Sequence, residues 1–376
     1  MISRLIVIIG FGALALLPLI QRITGLLPDA PLAENRIQVP APQWDKVLLK
    51  DYLLGWQSWY NDRYAGRNFL IRLKTQIDYT VFSYSDRVYV GHHGWLFYRS
   101  VIDVEKPAVE RMTDANFGQI VQNIKNLNDW LAHRGIRLIV MDNELKDSFY
   151  PEELPRSAPE HSRITHYQHF RERIGAETGA EYVDASQILM TLKPVRPIFH
   201  RTDFHWNDPA AFEVARVLVN RMAALVEPGK TGWRWKLAIE TRELSGGEAA
   251  FMPLLHPVTE QALFVRPTWP TPQREYRQND GPFEFSLRHP GNPDLLPGVV
   301  VFGDSFFDGL IRSGFDEHFK SVHRARFYKT TVGDTLRALP PDTKFFVLQF
   351  IETSAIGLTV PFNLPPLPAE DRHTLP

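Results

Sequence analysis

The chain has 376 residues, and its 42 Lys+Arg against 43 Asp+Glu leave a formal charge of -1, without the basic surface that nucleic-acid binding requires. At 44% hydrophobic and 23% charged it has a globular composition, which excludes a disordered or fibrous chain. The absence of cysteine excludes disulfides, thiolate metal sites and a cysteine nucleophile.

Leu5 to Ile20 is an apolar run with no polar side chain. As a helix it is about 24 Å long, and extended past Arg22 to Leu27 it reaches about 35 Å, enough for a bilayer core of about 30 Å. Ala30-Pro31-Leu32-Ala33 is a poor cleavage site because proline stands in the wrong place. Residues 1–27 therefore read as an uncleaved signal anchor, with a cleaved signal peptide as the alternative, and the body as exported. Pro28, Pro31, Pro40 and Pro42 mark residues 28–54 as a stalk.

Aromatic-rich sequence from Trp44 to Tyr79 reads as helical, and Val88–Gly91 with Gly94–Tyr98 as a short β patch. Thr113 or Asp114 caps a helix whose apolar face includes Phe117, Ile120, Ile124 and Leu131, and Gly135 ends it. Ile136 to Met141 is a buried strand, 161–178 a more polar helix, and Glu181 to Asp184 another strand. Asp208-Pro209 starts a third helix that Pro228-Gly229 stops. Val299 to Phe302 and Phe345 to Ile351 are further strands, with a helix between them. This alternation predicts an α/β sandwich with a mainly parallel sheet. Nine prolines between 253 and 297 argue against regular sheet or helix there, so 240–297 reads as an insertion near the site. Residues 361–376 form a proline-rich tail.

Two motifs carry chemistry. In Val299-Val300-Val301-Phe302-Gly303-Asp304-Ser305 an apolar strand runs into Gly-Asp-Ser. That places Ser305 at the carboxyl end of a sheet strand and the start of a helix, where open α/β sheets put ligands and free backbone N–H groups can hold an oxyanion. A simple strand-to-helix turn capped by Asp304 or Ser305 is the plainer alternative. In Thr202-Asp203-Phe204-His205-Trp206-Asn207 a carboxylate stands two residues before a histidine. It can take the Nδ1 proton and leave Nε2 as a base. His200, Asp203 and His205 also admit a metal reading, but no second ligand cluster has zinc-like spacing, and no metal or cofactor is expected. Together the motifs supply nucleophile, base and orienter in the order Asp203…His205…Ser305.

The pair resembles the SGNH hydrolase-like domain of the alginate O-acetylation proteins AlgJ and AlgX. Lys146-Asp147-Ser148-Phe149-Tyr150-Pro151 is similar to that family's Lys-x-x-x-Tyr-Pro, and Gly94-Trp95-Leu96-Phe97 and Asn61–Arg67 resemble its N-terminal pieces. The resemblance implies an SGNH-hydrolase-like three-layer sandwich over residues 55–360, with the Asp-His pair ahead of the serine, a permuted order. It implies Ser305 as nucleophile, His205 as general base, Asp203 as its orienter, and Lys146, Tyr150 and Trp206 as substrate-binding residues. The implied reaction is O-acetylation of an exopolysaccharide at the periplasmic face of the bacterial inner membrane. A membrane-bound O-acyltransferase would supply acetyl, with other exopolysaccharide synthesis and export proteins as partners. Where relatives often have Gly after His-Trp-Asn, this chain has Asp208-Pro209. With little chain beyond the serine domain for a carbohydrate-binding module, the membrane-anchored AlgJ type fits better than the two-domain AlgX type. An acetylesterase with the same triad and a non-catalytic polysaccharide-binding subunit stay open as alternatives. Trp269 and Tyr276 with Arg266, Arg274 and Arg277 are either a holder for an acidic sugar or packing and solvated charge.

Overall fold

The computed structural model describes residues 2–28, 32, 38–44, 48–159, 165–270 and 273–366. The expected cleavage site, parts of the stalk and most of the tail lie outside the described residues. The N-terminal apolar run forms α1 (Ile2–Thr24), with Pro18 inside it. Among the described residues no helix is long and apolar enough to cross a membrane. The stalk expected over 28–54 ends earlier, because α2 (Leu49–Arg63) starts within it. The helical sequence expected over 44–79 holds two helices, α2 and α3 (Arg67–Phe82), separated at Gly66, which adopts a φ of +89°.

β1 (Val88–Val90) and β2 (Leu96–Tyr98) form the short β patch expected there and pair antiparallel. A short helix, α4 (Lys106–Glu110), precedes α5 (Asp114–Ala132), which Thr113 caps through the Asn116 amide. β3 (Arg137–Asn143), α6 (Lys146–Phe149), α7 (Thr165–Glu177) and β4 (Glu181–Asp184) follow. Next come α8 (Ala185–Leu192), α9 (Asp208–Val226), β5 (Ile239–Leu244), α10 (Gly247–Ala250) and β6 (Glu260–Val265). The chain continues with β7 (Glu275–Asp280), β8 (Phe283–Arg288), β9 (Gly298–Gly303), α11 (Phe307–Arg312), β10 (Ser321–Arg326), α12 (Val332–Arg337) and β11 (Thr343–Ile351).

The main sheet has the order β4-β3-β11-β9-β10-β8-β7. Its first five strands are parallel, and the β7–β8 hairpin adds on antiparallel to β10. β3, β9 and β11 send alternate side chains to opposite faces. Ile139, Val301 and Val347 pack with α8, α9 and α11, whereas Val140, Val300 and Leu348 pack with α5 and α7. These are the three layers of an α/β sandwich.

The region 253–297 is not irregular. It supplies β6, β7 and β8, and its prolines fall between those strands, for example Pro282 in the turn from β7 to β8. Each strand occupies a proline-free window of six residues, long enough to pair without losing a ladder donor. β7, with Arg274, Tyr276 and Arg277 at its start, lies three strands from β9, about 14 Å across the sheet. Trp269 stacks on Trp235 with centroids 5.1 Å apart. Neither group is part of the Ser305 turn.

Candidate active site

Ser305 follows β9, the central strand of the seven-stranded sheet. The strand closes on Gly303, where a Cβ would stand 2.5 Å from Gln349 Oε1 and 2.8 Å from Gln349 O on adjacent β11, so only glycine fits. Asp304 fixes the turn. Its carboxylate accepts from Gln349 Nε2 (2.9 Å), Phe306 N (2.9 Å) and Ile351 N (3.0 Å), while its own amide donates to Gln349 Oε1 (3.0 Å). Burial raises the Asp304 pKa against those hydrogen bonds. The Phe307 and Asp308 amides are taken by Asp304 O and Ser305 O. Among the described residues, the Ser305 N–H is the one amide of the 304–308 turn with no acceptor, which leaves it to an oxyanion.

His205 comes from the loop between residues 199 and 207, which is pinched by a bridge between Phe199 and Trp206. Its Nε2 stands 2.7 Å from Ser305 Oγ, and its Nδ1 stands 2.7 Å from Asp203 Oδ1. Asp203 also accepts from the His205 amide at Oδ1 (2.9 Å) and from the Gly247 amide at Oδ2 (2.6 Å). Burial alone would raise the Asp203 pKa, but the His205 ring and these two amides outweigh it and hold the carboxyl well below the usual carboxylate range. The three side chains therefore form one directed chain: carboxylate, imidazole, hydroxyl.

Lys146, Tyr150 and Trp206, expected to bind substrate, are buried, at 2%, 7% and 0% exposure. Trp206 donates Nε1–H to Phe306 O (3.0 Å), which ties the histidine loop to the serine turn. The Tyr150 hydroxyl accepts from Ile198 N (3.0 Å), and its ring lies against Trp95. Lys146 pairs with buried Glu248 and donates to Asp203 O (2.8 Å). Their apolar parts fill the core and their polar atoms meet backbone or a buried charge, so they position the site and do not line it. His93 is exposed and bonds Glu153.

The supporting layer went unread in the sequence. Glu260 accepts from the Arg201 and Thr202 amides and from Thr202 Oγ1, and Gly246 N donates to Thr202 Oγ1. A Cβ on Gly246 would stand 2.4 Å from Thr202 O and 2.5 Å from Asp203 Cβ, so the chain can pass this close only as glycine. The Gly246-Gly247 pair was the available signal, but it sits in a region that read as irregular.

Lys146→Met leaves the Glu248 carboxyl buried without its cation and removes the donor beneath Asp203 O. We expect a loss of about 3 kcal/mol in urea unfolding, and an unchanged midpoint would contradict the role assigned to the pair. Burial, partly offset by Lys146, pushes the Glu248 pKa up from 4.5 to about 7. Between these values the folded chain holds a proton that the unfolded chain has released, so this carboxyl makes stability fall as pH rises across that window. Glu248→Gln should flatten the slope of urea midpoint against pH there; equal slopes in both proteins would count against it.

A serine hydrogen-bonded to an Asp-oriented histidine at the carboxyl end of a parallel sheet is the arrangement that serine acyl transfer requires. The chain belongs to the family described as SGNH hydrolase-like domain, acetyltransferase AlgX, whose model matches residues 88–280. That span holds Asp203 and His205, and Ser305 lies beyond it. The chain is 26% identical over 269 residues to the probable alginate O-acetylase AlgJ of Pseudomonas aeruginosa, covering 69% of this chain and 63% of that protein's length. Among solved structures, the O-acetyltransferase domain of Pseudomonas putida AlgJ matches at 17% identity with a TM-score of 0.42, covering 72% of this chain and 92% of that one. Bacillus cereus PatB1 matches at 11% identity with a TM-score of 0.49, covering 66% and 93%.

Proposed function

We propose that the protein is an O-acetyltransferase that acts on a bacterial exopolysaccharide through an acetyl-serine intermediate. The observation that carries this reading is the Asp203–His205–Ser305 chain, with both hydrogen bonds at 2.7 Å. Ser305 Oγ attacks the acetyl carbonyl of a donor ester as its proton passes to His205 Nε2. The Ser305 N–H holds the oxyanion, and the donor oxygen leaves with the proton from His205. A sugar hydroxyl then gives its proton to His205 and attacks the acetyl-serine, and the proton returns to Ser305 Oγ as the acetylated sugar departs.

The cellular setting belongs to the same proposal. The N-terminal apolar run Leu5–Ile20 would hold the chain at the inner membrane, with the body at its periplasmic face. A membrane-bound O-acyltransferase would bring acetyl, alongside other polysaccharide synthesis and export proteins. The apolar sequence of α1 and the resemblance to AlgJ support this arrangement. Water as acceptor gives the acetylesterase alternative, and the 31% exposure of the His205 side chain keeps that route open. Mass spectrometry of an oligosaccharide incubated with the protein and a small acetyl ester separates the two. Acetyl gain on the sugar supports the transferase, whereas ester hydrolysis without gain supports the esterase.

A further inference from the structure

Beside the triad three aromatic rings stand in a row. Phe204 lies 5.6 Å from the His205 ring, Tyr98 lies 6.5 Å from Phe204, and Phe251 stacks on Tyr98 at 4.9 Å with 25° between planes. Tyr98 and Phe204 are half-buried, and Phe251 at the far end is 37% exposed. The row is tied to the catalytic geometry. Phe251 N donates to Gly247 O (3.2 Å), and Gly247 N donates to Asp203 Oδ2. One tight turn therefore sets both the orienter of the histidine and the outermost ring. Past Phe251 the surface dips into a pocket of about 240 Å³, whose wall includes Lys74, Asp78, Asp86 and Arg87.

We propose that Phe251, backed by Tyr98 and Phe204, forms a sugar-stacking subsite, which holds a pyranose unit of the acceptor along the row outside the triad. This rests on the polysaccharide reading above. A pyranose ring presents a face of C–H bonds whose hydrogens carry partial positive charge, and that face complements the negative face of an aromatic ring. Its hydroxyl rim needs donors and acceptors at the edge, and the pocket beyond Phe251 supplies both. The same chemistry fits a neutral sugar or a uronate, since stacking does not read charge.

Hexamers of a uronate and of a neutral glucan, titrated calorimetrically into the full chain carrying Ser305→Ala, test the subsite without turnover. Adding Phe251→Ala should weaken binding of the preferred hexamer about tenfold with no change in the thermal midpoint, and Phe251→Tyr should restore it. The hexamer that binds more tightly identifies the sugar's charge. The proposal is overturned if neither hexamer binds, or if Phe251→Ala binds as tightly as its parent. Acetyl-ester turnover by the unmutated chain is a separate readout. Its absence alongside Phe251-dependent binding would remove the transferase reading and leave the sugar site.

Discussion

Ser305→Ala is expected to lower turnover of a small acetyl ester by at least about 10⁴-fold, with unfolding stability held within about 0.5 kcal/mol. The size follows from the chemistry, because alanine removes the only atom that His205 Nε2 can activate in this turn. The residual rate would come from the oxyanion amide and from binding alone. The small effect on stability also follows from the structure. The turn is held by Asp304, Gln349 and the Ile351 amide, none of which depends on the serine hydroxyl. Steady-state kinetics and urea midpoints on the same preparations check both halves. Retained turnover in the folded variant would mean that the nucleophile lies elsewhere.

Asp203→Asn should cost about as much, roughly 10⁴-fold in kcat, for a different reason. Asp203 accepts at both oxygens: Oδ1 takes the His205 ring and amide protons, and Oδ2 takes the Gly247 amide proton. Asparagine has one carbonyl oxygen for these two positions. With the oxygen toward Gly247, its NH2 faces His205 Nδ1, forces the proton onto Nε2 and aims it at Ser305. With the oxygen toward His205, the NH2 meets the Gly247 N–H instead. The first arrangement loses the base, and the second opens the turn that carries Phe251. A drop in kcat of less than tenfold would show that Asp203 does not set the imidazole tautomer.

The hydrogen-bonded chain Asp203–His205–Ser305 was legible in the sequence because each member announces itself locally. Ser305 ends a run of apolar strand residues, and Asp203 and His205 are close enough that one loop sets their geometry. The parallel core strands were legible for the same reason, since Val299–Phe302 is apolar throughout and Phe345–Ile351 is apolar except at Gln349. β10 was not, because Ser-Val-His-Arg-Ala-Arg does not look buried, yet all six residues are. Its polar groups find partners distant in sequence. Ser321 bonds Asp342 (2.7 Å), His323 bonds Ser286 (2.8 Å), and Arg326 pairs with Asp308 (2.6 Å). Only the assembled sheet brings these together, and polarity without visible partners reads as loop.

Trp206 was expected at a substrate wall because it is an aromatic next to His205, and in the fold its indole N–H is committed to Phe306 O and its surface is fully buried. Phe251, the exposed ring of the row beside the site, comes from sequence far from either motif. Lys146 stood out by its motif, but its partner did not: a buried lysine needs a carboxylate, and Glu248 lies about 100 residues away in the stretch that read as an insertion.

Rapid quenching of the protein with a small acetyl ester, followed by peptide mass mapping, tests the central claim most directly. One acetyl group on the peptide that contains Ser305, absent from Ser305→Ala, is the predicted result. Ester turnover with acetyl on another residue, or on none in either protein, would contradict it.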